Sequence, residues 1–400
     1  MRRSGNNRDL PHPKPVERIV LSEEHTKQKI FVMALLLVIG LAALGYALHS
    51  YFAVPAGWQE IQADSAAGIT GSDELVFLYE LGSGETSATA EKKALVALYT
   101  ESLQTVYRLF NNDMEFDGIR NVRYLNSHPN EVVEIDETLY RAFELVQQYD
   151  SRYLYLAPVY AIYDNIFYCG DDSELVHFDS ALNDKLRAGF DTLLSFVGNR
   201  GHVALQLLGD NKVCLYVSEE YLRYASGNDV EDFIDFYWMK NAFIVDYLAD
   251  TMMANGYTSG SISCYDGFIR NFDERDTQYS FALYNRVDGT VYQADTMQYQ
   301  GPRSIVYLRD YPMNGLDGRH YYELENGDMR TVYLDWADGR CKSAVNNLVS
   351  YSETLGCAEI LLQTAPIYIV DVFREEALGE LAERGICSIY FKDESAVYVK

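Results

Sequence analysis

The sequence predicts an α+β domain of mixed sheets and packed helices, carried behind one N-terminal membrane-spanning helix. Three observations predict it. Apolar residues recur at three- and four-residue steps in some stretches and alternate in others, interleaving helices with strands along 400 residues. The composition is 48% hydrophobic and 14% aromatic, enough for a large core. Ile30 to Leu48, IFVMALLLVIGLAALGYAL, runs nineteen residues without a charge, just enough to cross a bilayer.

Residues 1–29 form a polar tail with Pro11, Pro13 and Pro15, expected to be unstructured. It holds seven Lys/Arg against four acidic residues, so the positive-inside rule makes it a cytoplasmic basic tail. The main domain is then extracytoplasmic, on a single-pass anchor in the cell membrane. His49, Tyr51, Phe52 and Trp58 suit the membrane interface. A cleaved signal peptide is the competing reading, with Ala53-Val54-Pro55-Ala56 as its candidate site. The 29 residues before the apolar run favour the uncleaved anchor.

Residues 49–73 read as a small-residue stalk and 74–400 as the folded domain. The chain carries a net charge of −26 and a pI near 4.6, which excludes nucleic-acid partners. Taking the tail's seven basic and four acidic residues from 33 and 59 leaves 26 and 55, a charge of −29 beyond it. Six cysteines lack a C-x-x-C pair; buried thiols and disulfides both stay open.

The domain opens with a strand over Glu74–Leu81 and a helix from near Ala88 to Phe110 with Leu95, Leu98, Leu103, Val106 and Phe110 on or near one face. A second helix starts at Asp136 as N-cap, with Leu139, Phe143 and Val146 inward. Further on, a helix over 180–196 precedes strands 202–208 and 212–217. Val287-Asp288-Gly289 marks a hairpin, and Ser304–Arg309 and Arg330–Leu334 read as strands. A helix over 374–384 and strands 386–391 and 396–399 end the chain.

The most informative stretch is Asp235–Gly267, DFYWMKNAFIVDYLADTMMANGYTSGSISCYDG. It reads as a strand end, an amphipathic helix with Met239, Phe243, Val245, Leu248, Met252 and Met253 inward, and a second strand with an acidic turn. Gly256 suits the helix C-cap, and Asp266-Gly267 a turn. Two sheet elements joined by one helix would bring Asp235 and Asp266 to one sheet edge, where ligands often sit.

This stretch resembles the central segment of the FAD:protein FMN transferases, the ApbE-type flavin transferases. That family runs D-L-G-G-I-A-K-G-Y-A-V-D, then a glycine, then N-x-G-G-D. Asp235 and Asp246 fall on the acidic positions and Gly256 on the glycine. The paired glycines become Tyr237-Trp238, the lysine Asn241, the next glycine Ala242, the asparagine Ser263, and G-G-D Tyr265-Asp266-Gly267. The family's FAD-facing G-x-F-D-x-T-x-x-P-L becomes Tyr153 to Val159. Its D-P-x-T-G becomes Asp335 to Gly339, and the histidine before that becomes Val332.

The resemblance implies a flavin-transferase-like, T-fold-related architecture over roughly 74–400. It implies FAD and Mg²⁺ as cofactors and a flavinylated or envelope partner protein. By that resemblance Asp235, Asn241, Asp246, Tyr265 and Asp266 would line the nucleotide cleft, and Glu359, Gln363 or Thr364 would hold the metal. The activity implied is attack by a partner Ser/Thr hydroxyl on the FMN phosphorus, with release of AMP.

Each position has a plainer reading beside it. Asp246 equally suits a cap or an internal pair, and Asp266 a turn. Tyr237 and Trp238 either line a remodelled pocket or fill the cleft, since aromatic rings at glycine positions occupy space the backbone once left to a ligand. The 33 tyrosines suit either a glycan-binding surface or aromatic packing. Seven histidines show no metal-binding pair and read as structural or exposed. Three functions follow: a degenerate, pseudoenzyme-like binding or scaffold subunit of an envelope flavoprotein system, an active transferase, and a glycan-binding module.

Overall fold

The charge-free run folds as one long helix, α1 (Thr26–Phe52). Its stretch Thr26–Ala47 has a mean hydropathy of 2.6, long and apolar enough to cross a membrane. The computed structural model describes residues 25–69, 74–84, 86–313, 317 and 319–400. The polar tail before residue 25 and stalk residues 70–73 lie outside them.

The chain from Pro55 to Lys400 is organised by an eight-stranded antiparallel sheet. Its order is β1 (Gly57–Glu60), β2 (Leu75–Leu81), β6 (Gly260–Cys264), β7 (Phe268–Asn271), β10 (Arg303–Arg309), β13 (Asn347–Ser352), β14 (Cys387–Lys392) and β15 (Ser395–Val399). A three-stranded sheet holds β3 (Val132–Glu134), β5 (Lys212–Val217) and β4 (Val203–Gly209). Two hairpins stand apart, β8 (Gln278–Val287) with β9 (Thr290–Gln300), and β11 (Tyr321–Glu323) with β12 (Met329–Thr331).

The helices are α2 (Ala88–Leu109), α3 (Val122–Ser127), α4 (Glu137–Gln148), α5 (Ala157–Tyr163), α6 (Asp172–Leu175), α7 (Asp184–Val197) and α8 (Glu219–Gly227). They continue with α9 (Lys240–Ala254), α10 (Cys357–Tyr368) and α11 (Glu375–Ala382). Strand β13 is buried along its whole length, and β10 nearly so, because both sheet faces are covered. Helices α9 and α10 cover one face. On the other, Leu283 and Met297 of the β8–β9 hairpin pack onto Ile305, Tyr307, Val349, Tyr351 and Ile389.

Most predicted elements form with small shifts of boundary. The helix expected at 180–196 starts at Asp184, because Asn183 accepts hydrogen bonds from the N–H groups of Lys185 and Leu186 at 3.0 and 3.2 Å. Gly256 has φ +84° and ends α9 in a Schellman motif, with Tyr257 N–H on Met252 O and Gly256 N–H on Met253 O. All six cysteines are free thiols, so of the two open readings the disulfide one falls away.

Four expectations are corrected. Residues 57–60, read as stalk, pair with β2 as an edge strand, and Ile61 beside them is buried. No strand leads into Asp235. There Asn126 takes over what a neighbouring strand would do: its Oδ1 accepts Phe233 and Ile234 N–H, and its Nδ2 donates to Ile234 O. Helix α9 is not one-faced; Asn241, Ala242, Ile244 and Ala249 are buried with the predicted face, because α2 and α10 flank it while it lies on β6 and β7. The strand read over 330–334 is confined to Met329–Thr331, as the chain turns at Asp335 to pair with Lys342 at 2.8 Å.

Candidate functional site

The amino end of α9, the β6–β7 turn and the loops around α5 enclose a cavity of about 340 Å³. The turn is set by Gly267, whose φ of +96° lets its N–H reach Cys264 O. This aims Asp266 at the first turn of α9, where Asn241 Nδ2 donates to Asp266 Oδ2 at 2.5 Å and Glu74 Oε2 at 3.2 Å. The other oxygen, Asp266 Oδ1, pairs with His320 Nδ1 at 2.9 Å. Burial pushes the Asp266 carboxyl up, but His320, Asn241 and Arg309 outweigh it and hold it below the usual range. His320 is itself lifted by Asp266 against the opposing effect of burial.

Asp235 behaves oppositely. Its Oδ1 accepts the N–H of Tyr237 at 3.0 Å, and it has no ion-pair partner among the described residues. Burial pushes its pKa up to about 6, with Lys240 and that N–H pulling the other way. A carboxyl raised in the fold costs nothing below its unfolded pKa of about 4, and destabilises as pH climbs through about 6. Asp235→Asn keeps an acceptor for Tyr237 N–H. It should therefore stabilise the protein by about 1–3 kcal/mol at pH 7.5 and by only about a third as much at pH 4.5. Thermal unfolding followed at both pH values checks this; equal gains at both would refute the assignment.

The back wall is aromatic. Tyr237 takes a left-handed backbone, φ +43°, stacks on Tyr160 with centroids 4.5 Å apart, and donates its hydroxyl to Asp164. Trp238 is 4% exposed; its Nε1 donates to Tyr160 Oη at 3.1 Å, and its ring meets Tyr153 and Tyr333 edge-on. Beyond Trp238, toward Tyr265 and Arg309, the space shrinks to about 10 Å³, no more than a water molecule.

The expected site residues do not come together in one place. Asp235, Asn241 and Asp266 line this cavity. Tyr265 lies outside it, its carbonyl accepting from Arg309 at 3.0 Å. Asp246 and Glu359 border a separate hollow of about 630 Å³ between α4, α9 and α10. There the Asp246 oxygens accept the N–H groups of Cys357 and Ala358, each at 2.8 Å, capping α10 from the neighbouring helix. Glu359 accepts Tyr149 Oη at 2.5 Å, and Gln363 Nε2 reaches Glu359 O at 3.4 Å. Thr364 is fully buried and its hydroxyl donates to Ile360 O at 2.7 Å. Among the described residues, no three His, Cys, Asp or Glu side chains converge as a metal site.

Sequence reading missed part of the wall. Glu74, Asp113, Asp164 and Asp232 line the cavity beside Asp235 and Asp266, making six carboxylates against Lys240 and His320. His320, read as structural or exposed, is one of its polar groups. The signal available was Tyr160 and Asp164 lying just after the stretch set against the family's FAD-facing wall.

The fold is that of the flavin transferases. The chain is similar to the ApbE protein of Thermotoga maritima, with 14% identity over 86% of this chain and 97% of that one, at a TM-score of 0.59. It is also similar to the flavin transferase ApbE from Vibrio cholerae, with 12% identity over 86% and 98% of the two chains, at a TM-score of 0.55. No family model and no curated protein matches the sequence.

A flavin diphosphate with Mg²⁺ does not fit the residues present. A diphosphate needs cationic or N–H donors around it, and this wall presents six carboxylates. The hydroxyl of Thr364 and both oxygens of Asp246 are committed inside the fold, so the set implied for the cofactor and metal is not available as a set.

Proposed function

We propose that this chain is a membrane-anchored binding or scaffold subunit on a flavin-transferase fold, which does not itself transfer FMN. Its basic tail is cytoplasmic, its domain extracytoplasmic, and its partner an envelope flavoprotein or flavinylated protein. One observation carries the reading: the cavity beside α9 is acidic and backed by Tyr237 and Trp238. Like charges in a partly enclosed site repel a dinucleotide by several kcal/mol, whereas a transferase would have to draw that diphosphate in. The tail's excess of Lys/Arg supports the orientation.

The test incubates the full chain in detergent with FAD, Mg²⁺ and candidate acceptor proteins. The expected outcome is no AMP by chromatography and no fluorescent flavin band on denaturing gels. Stoichiometric AMP with a labelled acceptor would establish the transferase instead.

A further inference from the structure

Helix α4 ends in a Schellman motif, with Ser151 N–H on Val146 O at 3.0 Å and Asp150 N–H on Gln147 O at 3.1 Å. Asp150 takes the left-handed place just past the helix, φ +48°, which fixes it and sets Arg152 two residues beyond. Arg200 arrives from the turn between α7 and β4. The two arginines and Asp150 line a cavity of about 160 Å³ that shares no residue with the one beside α9.

The charges there do not balance. Arg200 Nη2 donates to Asp150 Oδ1, and Arg152 Nε forms a looser ion pair with the same oxygen at 3.4 Å. Arg152 makes no hydrogen bond to any described residue, although its side chain is only 14% exposed, and its nitrogens are open to solvent rather than sealed. Asp150 is the cavity's only carboxylate among the described residues. Two guanidiniums against it leave one positive charge over, on a chain of net charge −26. Each guanidinium presents five N–H donors in a fork that fits a carboxylate, and most of these are unspent.

We infer that this cavity binds the carboxylate group of a small organic acid, held between Arg152 and Arg200. One further negative charge neutralises the pair, whereas a doubly charged phosphate would leave an excess beside Asp150. Asp150 competes with the ligand for the same donors. A volume of about 160 Å³, below the range of drug-sized pockets, suits an acid of a few heavy atoms. Neither arginine lines the cavity beside α9, so this site does not depend on whether the chain transfers FMN.

The test is calorimetric titration of sodium pyruvate into the full chain in detergent, at pH 7.5 and a constant ionic strength of about 0.15 M, where diffuse surface attraction is largely screened. Saturable one-site binding is expected, with a dissociation constant on the order of millimolar. Arg152→Gln and Arg200→Gln should each weaken it at least about fivefold. The Arg200 side chain is 64% exposed, so its effect cannot be ascribed to misfolding. Asp150→Asn should tighten binding at least about threefold, because the competing charge is gone and asparagine suits the left-handed backbone there. Sodium phosphate should bind more weakly than pyruvate. Pyruvate heat that does not saturate, or that neither arginine substitution changes, would overturn the inference, as would weaker binding in Asp150→Asn. Phosphate binding that is tighter than pyruvate binding and is lost with either arginine would overturn it in favour of a phosphate group.

Discussion

Replacing Asp246 with alanine should destabilise the protein by about 2–4 kcal/mol, although Asp246 touches no part of the cavity beside α9. Its two oxygens satisfy the first N–H groups of α10, and Arg270 Nη1 lies 3.9 Å away. Burial outweighs these partners and holds the carboxyl at about 6, so its ionisation is mildly costly at neutral pH. Alanine relieves that cost but orphans two amides and strips Arg270 of a buried partner. The second effect is the larger, at about 1–3 kcal/mol for each unsatisfied group.

A companion substitution isolates the contact. A Cβ on Gly356 would lie 2.4 Å from Asp246 Oδ2, so Gly356→Ala must push the capping carboxylate away. It should cost about 2 kcal/mol in the parent but well under about 1 kcal/mol once Asp246 is alanine. A double-mutant cycle by denaturant unfolding measures the difference. Strict additivity would show that the cap contributes nothing.

Gly267→Ala should be at least as damaging, on the order of 3 kcal/mol or more, because two costs combine. The residue's φ of +96° is one that side-chain-bearing residues rarely adopt. A Cβ there would also sit 2.4 Å from the carbonyl oxygen of Tyr307, which is backbone and cannot rotate away. That carbonyl belongs to β10, whose Tyr307 N–H bonds Gly267 O, so the clash pries the turn from the centre of the sheet. Since the turn aims Asp266 at Asn241, the variant should also lose any ligand the cavity holds. A protein melting within a degree or two of the parent would contradict this account of the turn.

How much of this was legible in the sequence follows from the range of the forces involved. Local signals survived well: Asp136 as a cap, Gly256 as a helix stop and Asp288-Gly289 as a hairpin turn each act within a few residues. The fold resemblance was legible too, since the helix spacing around Asp246 to Gly256 matches even where the motif residues differ. Non-local substitutions were not legible. Asn126 replaces a strand partner for residues 108 positions away, and Asp246 caps a helix 111 positions away. Neither leaves a periodic trace. The cavity wall was half-visible for the same reason. Asp235, Asn241 and Asp266 sit in one segment, whereas Glu74, Asp164 and His320 arrive from three others.

The central claim is that an acidic, ring-backed cavity has taken the place of a diphosphate site, and one titration tests it most directly. Flavin fluorescence of FAD, with Mg²⁺ present, is followed as full-length protein is added. The account predicts no saturable change up to about millimolar FAD, an affinity too weak to amount to a site. A stoichiometric site of micromolar affinity, lost on substituting residues of this cavity, would contradict it.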